Sequence, residues 1–309
     1  MQKKAEIYLQ KPYIVAGLAG VCCLLWGSAF PCIKIGYSLM KISSDAVSDQ
    51  ILYAGCRFTL AGILVIIAGS LFNHQILIPK ENSLSKIAIL SLFQTVLQYL
   101  LFYIGLANTS GVKASIIEGT NVFIAILAAS LLFHQEQMSF KKIIGCILGF
   151  IGVVLINLGN GGLDVSMKLT GEGFILLSTI AYACSSVMIK RFSQEENPVV
   201  LSGYQFFTGG FVMVLVGYFM GGNLNGFTAA GLMLLCYLAF ISAAAYTLWG
   251  ILLKYNPVSK VAVFGFMNPM FGVFLSAILL QEAQQAFGVK SLLALLFVCI
   301  GIYTVHQEA

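Results

Sequence analysis

Charge is what this sequence has least of. Of 309 residues, 17 are basic, 12 acidic and three are histidine, so charged side chains make up 9% of the chain against 59% apolar ones. A soluble globular domain carries about 25% charge, and so few charges would not cover the surface of a water-soluble chain of this length. Short alternating strands are missing too. The apolar runs are unbroken over about 20 residues, the length an α-helix needs to cross roughly 30 Å of hydrocarbon, which excludes a β-barrel with its strands of about ten alternating residues. No G-x-x-x-x-G-K-[ST] stretch occurs, and no loop is long enough for a nucleotide-binding domain, so ATP drive within the chain is excluded.

The chemistry of metals and nucleophiles is equally thin. His74, His134 and His306 fall in loops or at the end of the chain. Cys22, Cys23, Cys32, Cys56, Cys146, Cys184, Cys236 and Cys299 all lie inside apolar runs, with no C-x-x-C and no nearby histidine, and read as small membrane-compatible side chains. An intramembrane enzyme needs a nucleophile with its base, or metal ligands, at membrane depth. No span holds a histidine and Glu118 is the clearest deep acid, so neither an enzyme nor a metal or cofactor site is expected. The net charge of +5 is spread singly or in pairs between apolar runs, a pattern of membrane topology rather than of a nucleic-acid partner.

What is present is a series of spans. The first run, Pro12 to Met40, is too long for a signal-peptide core and lacks a small-x-small cleavage site. Ten spans follow from the polar breaks: about 12–36, 50–71, 85–106, 113–133, 141–158, 170–190, 198–220, 228–253, 259–280 and 290–305. Four prolines (Pro12, Pro79, Pro198, Pro257) mark span boundaries. Pro31 and Pro269 fall inside spans, where a missing N–H and a ring clash predict a bend. With ten spans the loops alternate sides. One side collects Lys3, Lys4, Lys11, Lys80, Lys86, Lys141, Lys142, Lys190, Arg191, Lys254 and Lys260; the other collects Lys41, Lys113, Lys168 and Lys290. That asymmetry predicts both termini in the cytoplasm.

The chain also repeats itself. Trp26 to Lys34 aligns with Tyr182 to Lys190 at an offset of 156, and Gly55, Phe58 and Gly62 align with Gly203, Phe206 and Gly210 at 148. Tyr99 pairs with Tyr246, Lys113 with Lys260 and Asn121 with Asn268 at 147, then Gln135-Glu136 with Gln281-Glu282 at 146. Ordered matches with slowly drifting offsets predict an all-α membrane protein of ten transmembrane helices built as two inverted five-helix repeats, residues 1–160 and 161–309. An odd number of helices per unit inverts the second copy, an architecture suited to alternating access around a site near the midplane.

Four stretches carry a family resemblance: W-G-S-x-F-x-x-x-K in span 1, Arg57-Phe58 in span 2, Gln135-Glu136 after span 4, and G-x-x-L-G-x-x-G-V-x-L-I from Gly145 to Ile156. Together they resemble the EamA family of the drug/metabolite transporter superfamily. The resemblance implies a permease of the cell (inner) membrane, usually an exporter of amino acids or other small metabolites, with a central cavity between the halves. The family commonly has proline in the middle of the fourth helix of each half. Here Pro269 follows Asn268, but Val122 follows Asn121, so the two halves are expected to bend differently.

Intramembrane ionisable residues are costly and mark function. Glu118 shares a helical face with Ala114, Asn121 and Ala125. It reads either as a protonatable carboxylate that couples export to proton movement or holds a cationic group, or as a structural carboxylate paired with a base such as Arg57. Its repeat partner is Gly265, and that of Arg57 is Gln205, so the site is asymmetric. Arg57 reads as a charge site or as a structural arginine bonding carbonyls. Gln94 and Gln98 lie one turn apart, beside Tyr99 and Tyr103, and read as cavity lining or interhelical glue. Trp26, Tyr182, Tyr246 and Trp249 read as cavity or packing, and Asn121 and Asn268 complete the candidate set for a small-molecule substrate. Gly55/Gly62, Gly145/Gly149/Gly152, Gly209/Gly210 and Gly217/Gly221 permit close helix approach, and Gly145-x-x-x-Gly149 is expected to make a contact inside the molecule. The same cavity in an uncoupled facilitator remains the rival to a coupled carrier.

A reporter that is active only after export, fused at Ala309, is expected to stay inactive. Activity there would reverse the orientation.

Overall fold

The computed structural model describes residues 7–43, 45–109, 117–157, 168–224, 226, 228–279 and 289–307. Lys3, Lys4, Lys113, Ala114 and the Gln281-Glu282 pair lie outside them. Among the described residues the structure is helical, with no strand. Its α-helical segments are α1 (Pro12–Leu39), α2 (Val47–Phe72), α3 (Leu84–Leu90), α4 (Gln98–Ala107), α5 (Asn121–Leu127) and α6 (Phe140–Asn157). Then come α7 (Phe174–Phe192), α8 (Pro198–Phe219), α9 (Ala229–Tyr255), α10 (Val258–Ala262), α11 (Met267–Leu279) and α12 (Val289–His306).

Local chemistry sets several starts. Pro12 and Pro198 open α1 and α8, where a missing N–H is harmless. Asn197 caps α8 by accepting from the Val199 amide at 2.9 Å, and Thr228 caps α9 by accepting from the Gly231 amide at 3.0 Å. Six helical stretches are long and apolar enough to cross a membrane: Pro12–Leu39, Val47–Phe72, Glu81–Leu106, Leu169–Phe192, Pro198–Phe219 and Ala229–Tyr255. The other stretches that read as spans in the sequence are shorter or interrupted. Large apolar side chains face outward, Ile67, Phe211 and Phe240 each more than half exposed, as lipid solvent requires.

Winding changes divide the longer stretches. A π-helical turn, Ser91–Leu97, joins α3 to α4; another, Ala128–Leu132, follows α5; a third, Leu169–Gly173, precedes α7. Tighter 3₁₀ winding at Val263–Phe266 joins α10 to α11. That tightening lies just ahead of Pro269, which offers no N–H to the Gly265 carbonyl and whose ring crowds it. Pro31 lies inside α1, whose α winding runs from Pro12 to Leu39. Gly27, whose carbonyl loses its bond there, lies against α11: a Cβ on it would sit 2.5 Å from Phe271 Cβ and 2.9 Å from the Gly272 nitrogen. The fourth stretch of the first half, with valine at 122, is also interrupted, at Thr120, just before α5.

Packing follows glycine. On α2, Gly55, Gly62 and Gly69 recur every seven residues, as do Gly203, Gly210 and Gly217 on α8. The two helices run antiparallel and form the most extensive pair in the described fold. A Cβ on Gly55 would meet the Val214 nitrogen at 2.5 Å, on Gly62 the Phe207 nitrogen at 2.4 Å, and on Gly210 the Thr59 nitrogen at 2.4 Å. The second such pair is α6 with α12, where a Cβ on Gly145 would meet the Gly301 carbonyl at 2.7 Å and one on Gly301 the Gly149 nitrogen at 2.8 Å. Gly145 and Gly149 thus make the internal contact expected of them. Gly221 does not: it has φ +85° and nothing within 4 Å, so it serves as a helix-end turn rather than a packing residue. Around these pairs, α1 packs on α9 and α11, while α7 packs on α4 and α5.

Gly62→Ala is therefore expected to cost about 1–3 kcal/mol through overpacking, read as a lower Tm in detergent. Gly221→Asn, which tolerates positive φ in open space, should stay within about 0.5 kcal/mol of the parent. Equal tolerance at the two positions would contradict the close-packed pair.

Candidate functional site

Between the helices lies a cavity of about 140 Å³. Ten of the twelve candidate residues line it: Trp26 from α1, Arg57 from α2, Gln98 and Tyr99 from α4, Glu118 and Asn121 around the Thr120 interruption, Tyr182 from α7, Tyr246 and Trp249 from α9, and Asn268 from α11. Gln94 and Tyr103 do not. Gln94 sits in the π-helical turn Ser91–Leu97, whose wider winding turns it off the face of Gln98; it is 2% exposed and buried between helices. Tyr103, one turn beyond Tyr99, packs in the cluster of Ile51, Ala54 and Phe58 on α2, with its ring edge-on to Phe102.

Aromatic rings form one wall. The Trp26 ring meets Tyr246 and Trp249 edge-on, both at 5.0 Å, and Tyr182 at 6.5 Å. The hydroxyls of Tyr99 and Tyr246 share a hydrogen bond of 2.7 Å. Behind them Phe58 and Phe206 stack at 5.4 Å with an interplanar angle of 17°. Three of these contacts join residues that the sequence repeat aligns: Trp26 with Tyr182, Tyr99 with Tyr246, Phe58 with Phe206.

Polar groups on the cavity wall are short of partners. Trp26 Nε1, Gln98 Oε1, Asn121 Oδ1 and Asn268 Oδ1 have no hydrogen-bond partner among the described residues. An unsatisfied buried group costs about 1–3 kcal/mol, which a polar ligand would recover. Glu118 likewise forms no hydrogen bond or ion pair with a described residue. The ion pairs among those residues are Lys86 with Glu195 and Lys142 with Glu136, so Arg57 does not neutralise it. Arg57 donates from Nε to the Leu238 carbonyl at 3.2 Å and to Ser242 Oγ at 3.0 Å. The lining also includes Phe102, Ser178, Thr179, Gly265 and Pro269. Phe102 was legible as the i+3 aromatic partner of Tyr99. Ser178 and Thr179 donate to the Gln98 and Ile175 carbonyls at 2.7 and 2.8 Å, and no sequence signal separates them from ordinary span hydroxyls.

On the basic side of the chain the loops are laced together. Lys142, 7% exposed, donates to Glu136 Oε2 at 2.7 Å, while Glu136 Oε1 accepts from the Ser259 amide at 3.1 Å and so caps α10. Lys190 donates to the carbonyls of Leu253, at 3.2 Å, and Asn256. Asn256 Nδ2 donates to the Leu9 carbonyl at 3.0 Å, and Gln135 Nε2 to that of Val187 at 3.2 Å. Glu196 accepts from the Lys80 amide at 3.0 Å and its neighbour's, Asn197, at 2.8 Å.

Comparison with known proteins gives a consistent set of likenesses. A family model described as the EamA-like transporter family matches residues 14–158 and again 169–306. An uncharacterised transporter of Archaeoglobus fulgidus is 26% identical over 309 residues, covering 96% of this chain and 99% of the relative. A probable amino-acid metabolite efflux pump of Salmonella typhimurium is 24% identical over 306 residues, covering 94% and 96%. A crystal structure at 16% identity superposes with a TM-score of 0.78 over 96% of this chain and 99% of that one, a likeness of fold alone.

The loop carboxylate Glu196 supplies a test of the laced side. Burial pushes its carboxyl up, but the Lys80 and Asn197 amides that donate to it outweigh this and hold it below the ordinary 4.5. A group held low in the folded state stabilises at pH above its unfolded value and loses that contribution as pH falls through the folded one. Hydrogen-exchange protection of the Lys80 amide, corrected for intrinsic rate, should hold at neutral pH and fall as the medium is acidified below about pH 4.5. Glu196→Gln should weaken protection and remove its pH dependence. PH-independent protection in the parent would refute the tie.

Proposed function

The chain belongs to the EamA-like transporter family, and from that premise we propose that it is a secondary transporter exporting amino acids or other small metabolites by alternating access, coupled to protons through Glu118. The protein is a multi-pass membrane protein. In this reading ten helices cross the bilayer as two inverted five-helix halves, 1–160 and 161–309, with both termini in the cytoplasm. The cavity between the halves is the substrate site, formed by the lining residues from Trp26 to Asn268 described above.

The observation that carries the reading is that repeat-equivalent residues meet one another at the cavity. In a molecule of two halves related by an approximate two-fold axis, only groups near the axis touch their own equivalents, and here Tyr99 bonds Tyr246, Trp26 faces Tyr182 and Phe58 stacks on Phe206. Helix packing has the same logic. The α1 contacts with α9 and α11 are mirrored by those of α7 with α4 and α5, while α2–α8 and α6–α12 each join equivalents. The winding of the fourth stretch changes in each half, at Thr120 and at Val263–Phe266, close to Asn121 and Asn268, and broken helices beside the site are a feature of transporters.

With the termini inside, the loops laced by Glu136, Lys142, Lys190 and Asn256 lie on the cytoplasmic face, and in this reading their ties close the cytoplasmic side. Export then requires those ties to break and re-form as the halves rock. Glu118 is placed to register the proton: it lines the cavity, and no base among the described residues neutralises it. Glycine at the equivalent position, Gly265, gives one such carboxylate per molecule.

Glu118→Gln keeps the shape of the protonated side chain. In proteoliposomes the folded variant is expected to exchange substrate across the membrane yet to lose the response of net flux to an imposed pH gradient. A flux that follows the gradient as in the parent would remove Glu118 from coupling, and a parent indifferent to the gradient would make the protein a facilitator.

A further inference from the structure

Among the described residues that line the cavity, Arg57 is the only cation. It is 3% exposed, with its guanidinium carbon 5.1 Å from the centre of the Phe58 ring. Its Nε is committed to Leu238 and Ser242, which fixes the plane of the guanidinium. No described carboxylate pairs with it. A buried cation without a partner is costly in a bilayer, and the second half of the molecule shows that anchoring does not require one. Gln205 stands at the repeat position of Arg57 and Thr95 at that of Ser242. Thr95 Oγ1 donates to Gln205 Oε1 at 2.7 Å, so the equivalent interhelical tie is made there by a neutral amide. Gln205 is fully buried and does not reach the cavity; Arg57 does. The charge at position 57 exceeds what the tie needs, and it is on the cavity side.

We propose that Arg57 determines specificity: its terminal nitrogens, Nη1 and Nη2, receive the carboxylate of the transported molecule, so the cavity takes small monocarboxylates, amino acids among them, and rejects the corresponding decarboxylated amines. This rests on the transporter reading above. The planar guanidinium fork matches a carboxylate with two parallel hydrogen bonds. One fixed positive charge balances one carboxylate, whereas a phosphate dianion beside Glu118 would be left with uncompensated charge. Trp26, Tyr182 and Tyr246 supply an apolar wall for the remainder of the molecule.

The test uses the purified full chain and matched probes that differ by the carboxylate: tryptophan and tryptamine, phenylalanine and phenethylamine, leucine and isoamylamine. Thermal stabilisation as a function of probe concentration gives apparent affinities. In the parent at least one acid should bind about tenfold or more tightly than its amine, the scale of a charge-assisted hydrogen bond. Arg57→Gln, which copies the amide of the other half, should fold and lose that preference, and Arg57→Lys should keep part of it. A parent that binds amines as well as acids, or none of the acids, overturns the proposal, as does a folded Arg57→Gln that keeps the preference. If Arg57→Gln fails to fold, the parent's discrimination within each pair, together with its reduction in Arg57→Lys, decides the matter. Flux in proteoliposomes separates the two readings. Transport of the amines in place of the acids would sink the role of Arg57 and leave a transporter, while a retained acid preference in binding with no flux of any probe would sink the transporter and leave the binding role.

Discussion

Close backbone approach between α2 and α8 is the contact on which the rest of the molecule hangs. In hydrocarbon there is no hydrophobic gain from bringing helices together, because lipid tails are as apolar as leucine, so association rests on dispersion contacts and interhelical hydrogen bonds. Both need short separations. Gly55, Gly62, Gly203, Gly210 and Gly217 provide them by leaving no Cβ between two antiparallel backbones. A pair held this firmly fixes Phe58 and Phe206 face to face and sets Arg57 and Gln205 at defined depths on either side. The α6–α12 pair applies the same device elsewhere, around Gly145, Gly149 and Gly301.

With the scaffold made by small residues, the polar groups can be few. Interhelical ties use neutral hydroxyls and amides wherever geometry allows: Ser91 with Thr208, Thr95 with Gln205, Ser178 with the Gln98 carbonyl. Full charges are sparse in the membrane interior and concentrate at the ends, where Lys142 and Glu136 form a buried pair next to the α10 cap and Lys86 meets Glu195. Against that economy, a guanidinium and a carboxylate on the wall of one cavity stand out, and their repeat positions hold glutamine and glycine. The asymmetry is chemical rather than architectural. The stretches matched by the family model, 14–158 and 169–306, present different groups to the same space.

How much of this was legible in the sequence depends on the range of the forces involved. Runs of apolar residues are local, and helix ends at Pro12, Pro198 and Asn197 follow from neighbouring residues alone. Aligning the halves also paired Trp26 with Tyr182, Tyr99 with Tyr246 and Asn121 with Asn268, and all six line the cavity. Gln94 lies off the cavity lining, in the π-helical turn at Ser91–Leu97, a change of winding that α-helical spacing cannot foresee. Tyr103 packs against α2 instead, and i, i+4 spacing does not say which of two tyrosines on a helix meets a neighbour and which meets a space.

The sequence by itself determined that the chain is helical and apolar, which residues align between its two parts and which few are charged, since each of these depends on composition or on periodicity along the chain. Only the tertiary structure decided that equivalent residues touch, that Arg57 is tied to Leu238 and Ser242 rather than to Glu118, and that Gly221 is a turn and not a contact. Those outcomes join residues as far apart as 185 positions, and such distances are set by how the helices pack, a property of the whole fold that no local pattern encodes.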